Sequence, residues 1–369
     1  MGDARTTLFL CGDVMLGRGV DQILPRPGDP RLREGMVRDA RGYVRGAEAV
    51  NGRISGPVGF AWPWGSALAA IAAASPDARL VNLESAVTRS GDFAPGKGVH
   101  YRMCPDNLPA LSAGHPDVCA LANNHVLDFG PRGLADTLDA LAAAGLRAAG
   151  AGRDAEEARR PAIVPVGDRR VLVFACGCAT SGIPAGWAAA EDRSGVHFLP
   201  RPSAAAAADI VDRVRATARP GDVVVVSIHW GSNWGYEVSA DEIDFAHLLI
   251  DGGVHVVHGH SSHHPRPIEI YRGRLVLYGC GDFIDDYEGI PGYEVYRDDL
   301  RLLYFATLRG GVLERLRIVP MQARQMRLHH AGAADAEWLR STLACVSGPF
   351  GTRVDLEAEG SLVAKAEGT

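Results

Sequence analysis

The chain has 369 residues, of which 47% are hydrophobic and 22% charged, and its formal net charge is −6. These values are typical of a globular protein with one large domain or two ordinary ones. The negative net charge argues against a nucleic-acid partner. No apolar run reaches the length of a membrane span, and no signal-peptide pattern opens the sequence. We therefore expect a cytoplasmic protein without a membrane partner, and its oligomeric state stays open.

Apolar runs alternate with helical patterns along most of the sequence. In the first half, strands are predicted at Thr7–Cys11, Ala78–Leu83, Asp117–Ala122, Ala162–Val166 and Arg170–Ala175, and helices at Ser66–Ala74 and Gly133–Ala144. In the second half, helices are predicted at Ser203–Ala218 and Ala240–Ile250, strands at Asp222–Ile228 and Val254–Val257, and hairpins at 267–279 and 301–320. Nearly continuous apolar strands between helices indicate a sheet buried on both faces, so the predicted class is α/β.

We predict one domain over residues 1–350. Within it, residues 21–62 are rich in Gly, Pro and Arg without clear periodicity, and we interpret them as an irregular insertion. Residues 351–369 are weakly patterned and are expected to form a C-terminal tail that is partly disordered.

Side chains suited to metal binding follow several of the predicted strands. They are Asp13, Glu84, Asn124, His125, His229 and the histidines of V-H-V-V-H-G-H-S-S-H-H-P (254–265). Ligands of open α/β sheets bind at the carboxyl ends of the strands, so these side chains are expected to share one site. Imidazole, carboxylate and amide donors without cysteine favour one or two divalent ions, Mn²⁺, Fe²⁺ or Zn²⁺ first, with Ca²⁺ or Mg²⁺ at an oxygen-rich position.

Several short motifs then occur in an order that resembles a known family. They are G-D-V-M-L-G-R (12–18), V-N-L-E-S (81–85), L-A-N-N-H-V-L-D-F-G (121–130), S-I-H-W-G (227–231), G-H-S-S-H (259–263) and G-D-F-I-D-D (281–286). This succession resembles the CapA family, the poly-γ-glutamate-synthesis-protein relatives of calcineurin-like metallophosphatases. The resemblance implies a metallophosphatase-like four-layer α/β/β/α sandwich.

The resemblance also implies roles for individual residues. By position, the implied metal ligands are Asp13, Glu84, Asn124, His229, His260 and His263. His125 stands where the phosphatases have their catalytic histidine. Asp128 is expected to be an outer partner of the site or the cap at the start of the next helix, rather than a catalytic residue. Of the remaining clustered histidines, His255 is expected to be structural, and the role of His258 stays open.

Two departures from the phosphatase pattern and one from the CapA pattern put phosphoester hydrolysis in doubt. Met15 stands where the phosphatases have a histidine, Glu84 where they have Asp, and Asp282 where CapA proteins commonly have Asn. CapA proteins of capsule systems also usually carry a membrane anchor. Because we find none in this sequence, we expect no role in polymer export.

The run Y-G-C-G-D-F-I-D-D-Y-E-G (278–289) is similar to that of soluble CapA-like proteins in peptide natural-product clusters, the lasso-peptide epimerases. This resemblance implies a metal-dependent isomerase with a peptide substrate, which inverts the Cα of the C-terminal residue of a ribosomal precursor peptide. Inversion needs acid and base groups around a metal-stabilised enolate, and the candidates are His125, His264 and Asp282. An apolar pocket for the peptide terminus could use Trp62, Trp64, Trp230 or Trp234.

Two alternatives stay open beside the epimerase. The first is a metal-dependent hydrolase of phosphoesters or γ-glutamyl amides in which His125 protonates the leaving group. The second is a non-catalytic protein that binds a peptide or polymer. Nucleotide binding is not expected: the run 91–97 matches G-x-x-x-x-G-K, but Gly98 follows where a P-loop needs Ser or Thr.

Overall fold

The computed structural model describes residues 5–368, which form a mixed α/β arrangement with several sheets and so confirm the predicted class. The helices are α1 (Arg18–Ile23), α2 (Arg41–Asn51), α3 (Ala67–Ala74), α4 (Pro109–Ser112), α5 (Gly130–Ala143), α6 (Ala155–Arg159), α7 (Ala204–Thr217), α8 (Ala240–Asp251) and α9 (Ala333–Ser347). The strands are β1 (Arg5–Val14), β2 (Ala78–Leu83), β3 (Ala86–Val87), β4 (Arg102–Met103), β5 (Val118–Ala120), β6 (Arg147–Ala149), β7 (Ala151–Gly152), β8 (Ala162–Val166), β9 (Arg169–Cys178), β10 (Gly195–Val196), β11 (Phe198–Leu199), β12 (Val223–His229), β13 (Val256–His260), β14 (Ile268–Tyr271), β15 (Arg274–Leu277), β16 (Asp282–Ile284), β17 (Leu300–Arg309), β18 (Val312–Arg324), β19 (Arg327–His330), β20 (Thr352–Leu356) and β21 (Leu362–Ala366).

The larger sheet has ten strands in the described residues, in the order β20-β21-β18-β17-β1-β2-β5-β6, with β16 beside β1 and β19 beside β18. Its centre is parallel, since β1 runs in the same direction as β2 and β16, and β2 in the same direction as β5. The carboxyl ends of β1, β2 and β5 therefore meet at one edge. The antiparallel strands β17, β18 and β21 extend the sheet on the other side of β1.

The second sheet has seven strands among residues 5–368, in the order β11-β9-β12-β13-β15-β14, with β8 beside β9. Strands β9, β12, β13 and β15 run parallel. Every residue of β12 is buried, because this almost pure valine strand lies at the centre of the sheet. Its last residue, His229, pairs in register with His260 of β13.

Alternation along the strands directs one set of side chains between the sheets and the other set under the helices. Leu10 of β1 and Val225 of β12 belong to one buried cluster shared by the two sheets. On the opposite face of the large sheet, side chains of β1 share a cluster with Leu138 of α5. On the opposite face of the second sheet, Val226 shares a cluster with Phe245 of α8. The packing thus brings strand ends of both sheets to the same region.

The C-terminal segment differs from its prediction, because it is ordered as far as residue 368. Strands β20 and β21 form an antiparallel hairpin, and β21 pairs with β18 of the large sheet. Val354 and Leu362 are buried there, so the short alternating pattern was sufficient to form an edge of the sheet. Thr369 lies outside the described residues.

The insertion predicted at 21–62 is irregular over much of its length but contains α2. Ala47 is the one buried residue of this helix. Tyr43 and Val44 pack against the core beside Ala47, but this apolar face is short and Gly42 and Gly46 disfavour a helix, so the sequence pattern does not predict it.

Candidate metal centre

The ends of three strands bring Asp13, His229 and His260 together. Asp13 lies next to the end of β1, His229 ends β12 and His260 ends β13, and all three side chains are at most 1% exposed. Nδ1 of His229 lies 2.8 Å from Nδ1 of His260, which in turn lies 3.8 Å from Oδ1 of Asp13. One ligand atom from each residue lies within 4.8 Å of the other two, so the three side chains could hold a metal ion.

The backbone on either side of Asp13 is held closely. A Cβ atom on Gly12 would lie 1.6 Å from the carbonyl oxygen of Gly281, so a side chain cannot be accommodated there. The same carbonyl accepts the Asp13 N–H at 3.1 Å. Ser261 adopts a φ of +105°, a strained value for a residue with a side chain, and its N–H lies 3.3 Å from Oδ2 of Asp13. These contacts fix the Asp13 carboxylate at the strand end.

Buried carboxyl groups crowd this region. Asn82 donates from Nδ2 to Oδ1 of Asp13 at 2.7 Å and to Oε2 of Glu84 at 3.0 Å. Burial, together with the Asp282 carboxylate, raises the pKa of Asp13 to about 7. Burial and the Asp13 carboxylate raise the pKa of Glu84 well above its usual value. A bound cation would favour the ionised form of these groups, so their crowding suits a metal site.

The donor set fits a divalent cation. Nε2 of His229 lies 3.1 Å from Oδ1 of Asn124, and Nε2 of His260 lies 2.9 Å from Oγ of Ser227. With oxygen partners at both Nε2 atoms, the two Nδ1 atoms are left facing each other beside Asp13. Two imidazoles and a carboxylate are ligands that Zn²⁺, Mn²⁺ and Fe²⁺ accept, and the identity of the ion stays a prediction.

His125 lies beside this cluster in a network of its own. Its Nδ1 lies 2.7 Å from Oδ2 of Asp128, whose other oxygen is 2.5 Å from Nζ of Lys97. Lys97 also donates to the carbonyl of Asn124, and the N–H of Tyr101 donates to Asp128 at 2.7 Å. Burial opposes ionisation of Asp128, but His125 and Lys97 outweigh it and lower the pKa of this carboxyl group. Asp128 is therefore an ionised acceptor that orients His125.

A cavity of about 460 Å³ opens onto these groups. Its lining includes Glu84, Lys97, Asn124, His125 and His263. Nε2 of His125 lies 3.9 Å from Oε1 of Glu84, so the free side of the imidazole points towards the metal cluster. A ligand in the cavity would meet a histidine, a lysine and the edge of the candidate metal site.

The remaining predicted metal ligands lie in two different surroundings. Oε1 of Glu84 is 3.8 Å from Nε2 of His229, and Asn124 contacts the same nitrogen, so both border the three-residue cluster. His263 instead forms an ion pair with Asp282, with Nδ1 2.9 Å from Oδ2. Burial opposes a charge on His263, but Asp282 outweighs it and raises the pKa of His263 to about 8. In this arrangement Nδ1 of His263 is paired with Asp282 and Nε2 lies 3.2 Å from Nδ2 of Asn233, and the role of His263 as a metal ligand stays a prediction.

Two of the predicted acid and base groups do not line the cavity. His264 stacks on Tyr296 at a ring distance of 4.5 Å, and its Nδ1 lies 3.1 Å from the carbonyl of Pro265. His264 lies in a bend at 262–264, where the Tyr236 ring also packs against it at 4.7 Å. Asp282 is fully buried and engaged with His263. Of the three predicted candidates, His125 alone faces the cavity.

Two of the four tryptophans expected to form a peptide pocket lie in the core. Trp64 and Trp230 are fully buried, and their indole N–H groups donate to the carbonyls of Ala110 and Tyr278. Trp62 donates to the carbonyl of Gln325, and Trp234 stacks on Tyr293. The prediction was therefore wrong for Trp64 and Trp230, whereas the Trp234 ring lies 5.1 Å from that of His263 at the cavity and its part in a pocket stays a prediction.

Lys97 is the main residue of the site that sequence reasoning missed. In the sequence it stands out only as the last residue of the G-x-x-x-x-G-K run at 91–97, which is not a P-loop. A signal was present, since Lys97 and Lys365 are the only lysines in the sequence and the other basic residues are arginines. The rarity of lysine in this chain is the sequence feature that could have identified Lys97 as a candidate site residue.

Comparison with known proteins shows the family. The model of the family described as bacterial capsule synthesis protein PGA_cap matches residues 7–287, and the chain belongs to this family. A probable polyglutamine synthesis accessory protein of Mycobacterium tuberculosis is 55% identical over 352 residues, which are 94% of this chain and 93% of the relative. The capsule biosynthesis protein CapA of Bacillus anthracis is 23% identical over 87% of this chain and 68% of its own length. The PGA biosynthesis protein CapA of Bacillus subtilis is 26% identical over 62% of this chain and 57% of its own length.

These relatives confirm the CapA resemblance and correct the predicted activity. They are named for polyglutamine synthesis and capsule biosynthesis, not for epimerisation, so the assignment as an isomerase was wrong. The run that resembles the lasso-peptide epimerases contains aspartates that form ion pairs within the fold, Asp282 with His263 and Asp285 with Arg301. Among residues 5–368, no helix combines the length and the apolar character that a membrane crossing requires.

Proposed function

We propose that this protein holds a divalent metal ion at Asp13, His229 and His260 and hydrolyses amide bonds of a glutamyl polymer. The observation that carries the proposal is the orientation of His125 beside those three residues. Asp128 is ionised and accepts a hydrogen bond, so the proton of the neutral imidazole sits on Nδ1. The lone pair on Nε2 then faces the cavity, where a substrate would lie.

The chain's own groups can carry the protons of such a hydrolysis. Nε2 of His125 accepts a proton from the attacking water as the water oxygen bonds to the carbonyl carbon of the substrate, and the C–N bond breaks in the following step. The same proton then passes to the leaving amine, so that one water yields one carboxyl group and one amine. A divalent cation at the site would polarise the substrate carbonyl and acidify a water. Asp128 keeps the imidazole oriented throughout.

A substrate with free carboxylates suits the cavity wall. Nζ of Lys97 has three N–H donors, and Asp128 and the carbonyl of Asn124 accept two of them. Nδ1 of His125, at 3.4 Å, already carries a proton and cannot accept the third. We assign this N–H, on a lysine that lines the cavity, to a carboxylate of the polymer. The names of the relatives, which refer to polyglutamine and PGA synthesis, support a glutamyl chain as the peptide-like substrate.

The fold is part of the proposal. We infer that the two sheets and the helices on their outer faces form the metallophosphatase-like four-layer sandwich that the family resemblance implies. The shared cluster between the sheets and the separate clusters under α5 and α8 support it. The departure at Met15, which lines the cavity where phosphatases have a histidine, favours amide over phosphoester hydrolysis.

Binding of the polymer without cleavage is a second candidate. It is favoured by the word "accessory" in the name of the Mycobacterium tuberculosis relative. Under this proposal, Lys97 and the metal would hold carboxylates of the chain and His125 would have no catalytic role.

The experiment compares the two candidates directly. Purified protein loaded with Mn²⁺ or Zn²⁺ is incubated with poly-γ-glutamate of defined length, and new amino groups and chain length are followed. Hydrolysis predicts new amines that disappear in His125→Gln and persist in His330→Gln, since His330 is exposed and does not line the cavity. Retention of the polymer without new amines would establish the binding candidate instead. If the protein neither retains nor cleaves the polymer, both candidates are overturned. Turnover of an aryl phosphate that needs His125 would point to phosphoesters.

A further inference from the structure

A chain of buried hydrogen bonds leads from the backbone of β1 to His260. The carbonyl oxygen of Cys11 lies 2.8 Å from Nε2 of His258. Nδ1 of His258 lies 3.0 Å from Oγ of Ser227, which lies 2.9 Å from Nε2 of His260. The three side chains are at most 1% exposed, so water does not compete for these bonds.

The carbonyl at one end fixes the direction of every bond in the chain. A carbonyl oxygen only accepts, so His258 donates from Nε2. His258 has no carboxylate of residues 5–368 within ion-pair distance, and a second proton on its ring would be an unpaired buried charge. Nδ1 of His258 therefore accepts the hydroxyl proton of Ser227. Because a hydroxyl has one proton, Ser227 must accept the N–H at Nε2 of His260.

We propose that Ser227 and His258 are positioning residues that hold the single proton of His260 on Nε2 and so present its Nδ1 lone pair to a metal ion. Asn124 likewise holds the proton of His229 on Nε2, since its Oδ1 faces that nitrogen. Two lone pairs 2.8 Å apart repel each other unless a cation lies between them. The inference rests on the proposed metal site and is independent of the hydrolytic reaction.

The fold explains why these residues meet. Residues two apart on a strand share a face, so Ser227 and His229 of β12 point the same way, as do His258 and His260 of β13. The strands pair Ser227 with His258 and His229 with His260. The register of β1 against β2 shifts between Leu10 and Asp13, and Cys11 lies in this irregular stretch. The carbonyl of Cys11 accepts a hydrogen bond from His258 of the second sheet. Because Cys11 lies two residues before Asp13, one backbone segment helps to position both Asp13 and, through His258 and Ser227, His260.

The first test reads the ring protons without a metal. Nitrogen NMR of the metal-free protein, with labelled histidine, distinguishes protonated from unprotonated ring nitrogens. We expect His258 and His260 to carry their protons on Nε2. A proton on Nδ1 of His260, with Nε2 unprotonated, would overturn the inference whatever the protein does with its substrate.

The second test separates positioning from plain stability. Ser227→Ala removes the acceptor for His260. His258→Gln keeps an amide donor for Cys11 but removes the acceptor at Nδ1, which frees the Ser227 proton to reach His260. Loss of such an outer partner typically weakens metal binding 10–100-fold, and we expect that loss in a Zn²⁺ titration of both variants.

The matched control is Ser347→Ala. Ser347 is equally buried and accepts a hydrogen bond from the N–H of Ile268, away from the metal cluster. All three variants are expected to unfold at lower temperature, but the control should bind Zn²⁺ as the unaltered protein does. Wild-type affinity in Ser227→Ala and His258→Gln, with only the unfolding temperature lowered, would make the chain a structural link between the sheets and overturn the proposal. If the unaltered protein binds Zn²⁺ but does not cleave the polymer, the proposed hydrolysis is contradicted and the positioning role of Ser227 and His258 is not.

Discussion

His229 and His260 face each other through their Nδ1 atoms at 2.8 Å, although each ring also has an oxygen partner at Nε2. A neutral imidazole has one proton, so both rings cannot satisfy an oxygen at Nε2 and still place a proton between the Nδ1 atoms. The nearby Asp13 carboxylate completes a set of three side chains that each offer a metal-ligand atom. This relationship is the physical basis for a metal at the site.

Metal binding should stabilise the folded protein measurably. A ligand at 100 times its dissociation constant adds about 2.7 kcal/mol to the free energy of unfolding. We expect Zn²⁺ or Mn²⁺ to raise the thermal unfolding temperature of the unaltered protein and a chelator to reverse the shift. His229→Ala should remove the shift, whereas His330→Ala should keep it. An equal shift in His229→Ala would show that the metal binds elsewhere.

Asp128→Asn tests how His125 is oriented. An amide can donate to Nδ1, which would move the imidazole proton to Nε2 and block the lone pair that faces the cavity. General acid–base catalysis contributes about 10²–10⁴-fold to rates, and we expect a loss of that order in polymer cleavage. Metal content should be unchanged, because Asp128 does not contact Asp13, His229 or His260 in the structure. Full activity of Asp128→Asn would contradict the proposed role of His125.

Lys97→Met tests recognition of the substrate carboxylate. A hydrogen bond to a charged group contributes about 1.5–3 kcal/mol, so the dissociation constant for poly-γ-glutamate should rise by about tenfold or more. Lys97→Arg should recover part of the affinity, since it restores the charge. Binding is measured by titration of the metal-loaded protein with the polymer, and Lys365→Met is the matched control, as it replaces the other lysine. Equal affinity of both methionine variants would exclude Lys97 from recognition.

The strand pattern predicted the centre of the site but not its surroundings. Asp13, His229 and His260 each lie near the end of an apolar strand, and parallel strands bring such ends to one edge. The partner of His263 could not be predicted, because Asp282 reaches it only when β16 pairs beside Asp13 of β1. That pairing joins segments distant in sequence and leaves no local signal.

Lys97 and His264 show the same limit in two other ways. Lys97 lies in an irregular stretch of the chain and contacts Asp128, which is 31 residues further along the sequence. His264 adjoins His263 in sequence, yet it stacks on Tyr296 outside the cavity. Local patterns predict which residues end a strand, whereas the direction of a side chain in an irregular loop depends on tertiary packing.

The buried ion pair of Arg301 and Asp285 predicts a large stability effect. Both side chains are fully buried, and Nη2 of Arg301 lies 2.6 Å from Oδ2 of Asp285. Removing one partner of such a pair leaves a buried charge and costs about 3–5 kcal/mol. We expect that loss for Arg301→Met in denaturant unfolding and a partial recovery in the double variant with Asp285→Asn. Arg340→Met, which removes a surface pair with Glu337, should change stability little, and equal losses in both arginine variants would contradict the expectation.

Buried histidines should make the protein sensitive to acid, and His197 is the clearest case away from the metal site. Its Nδ1 lies 3.2 Å from the carbonyl oxygen of Ala175, and burial lowers its pKa from 6.5 to about 4. Below pH 6.5 the unfolded chain binds a proton at this residue that the folded protein binds only near pH 4. The unfolded state therefore holds more protons in this window, and the free energy of unfolding falls as the pH drops from 6.5 to 4. At about 1.4 kcal/mol per pKa unit, the contribution of His197 is on the order of 3 kcal/mol. Denaturant unfolding at pH 7 and pH 4.5 should show a smaller difference for His197→Gln than for the unaltered protein, and an unchanged difference would exclude His197 as a source of the acid sensitivity.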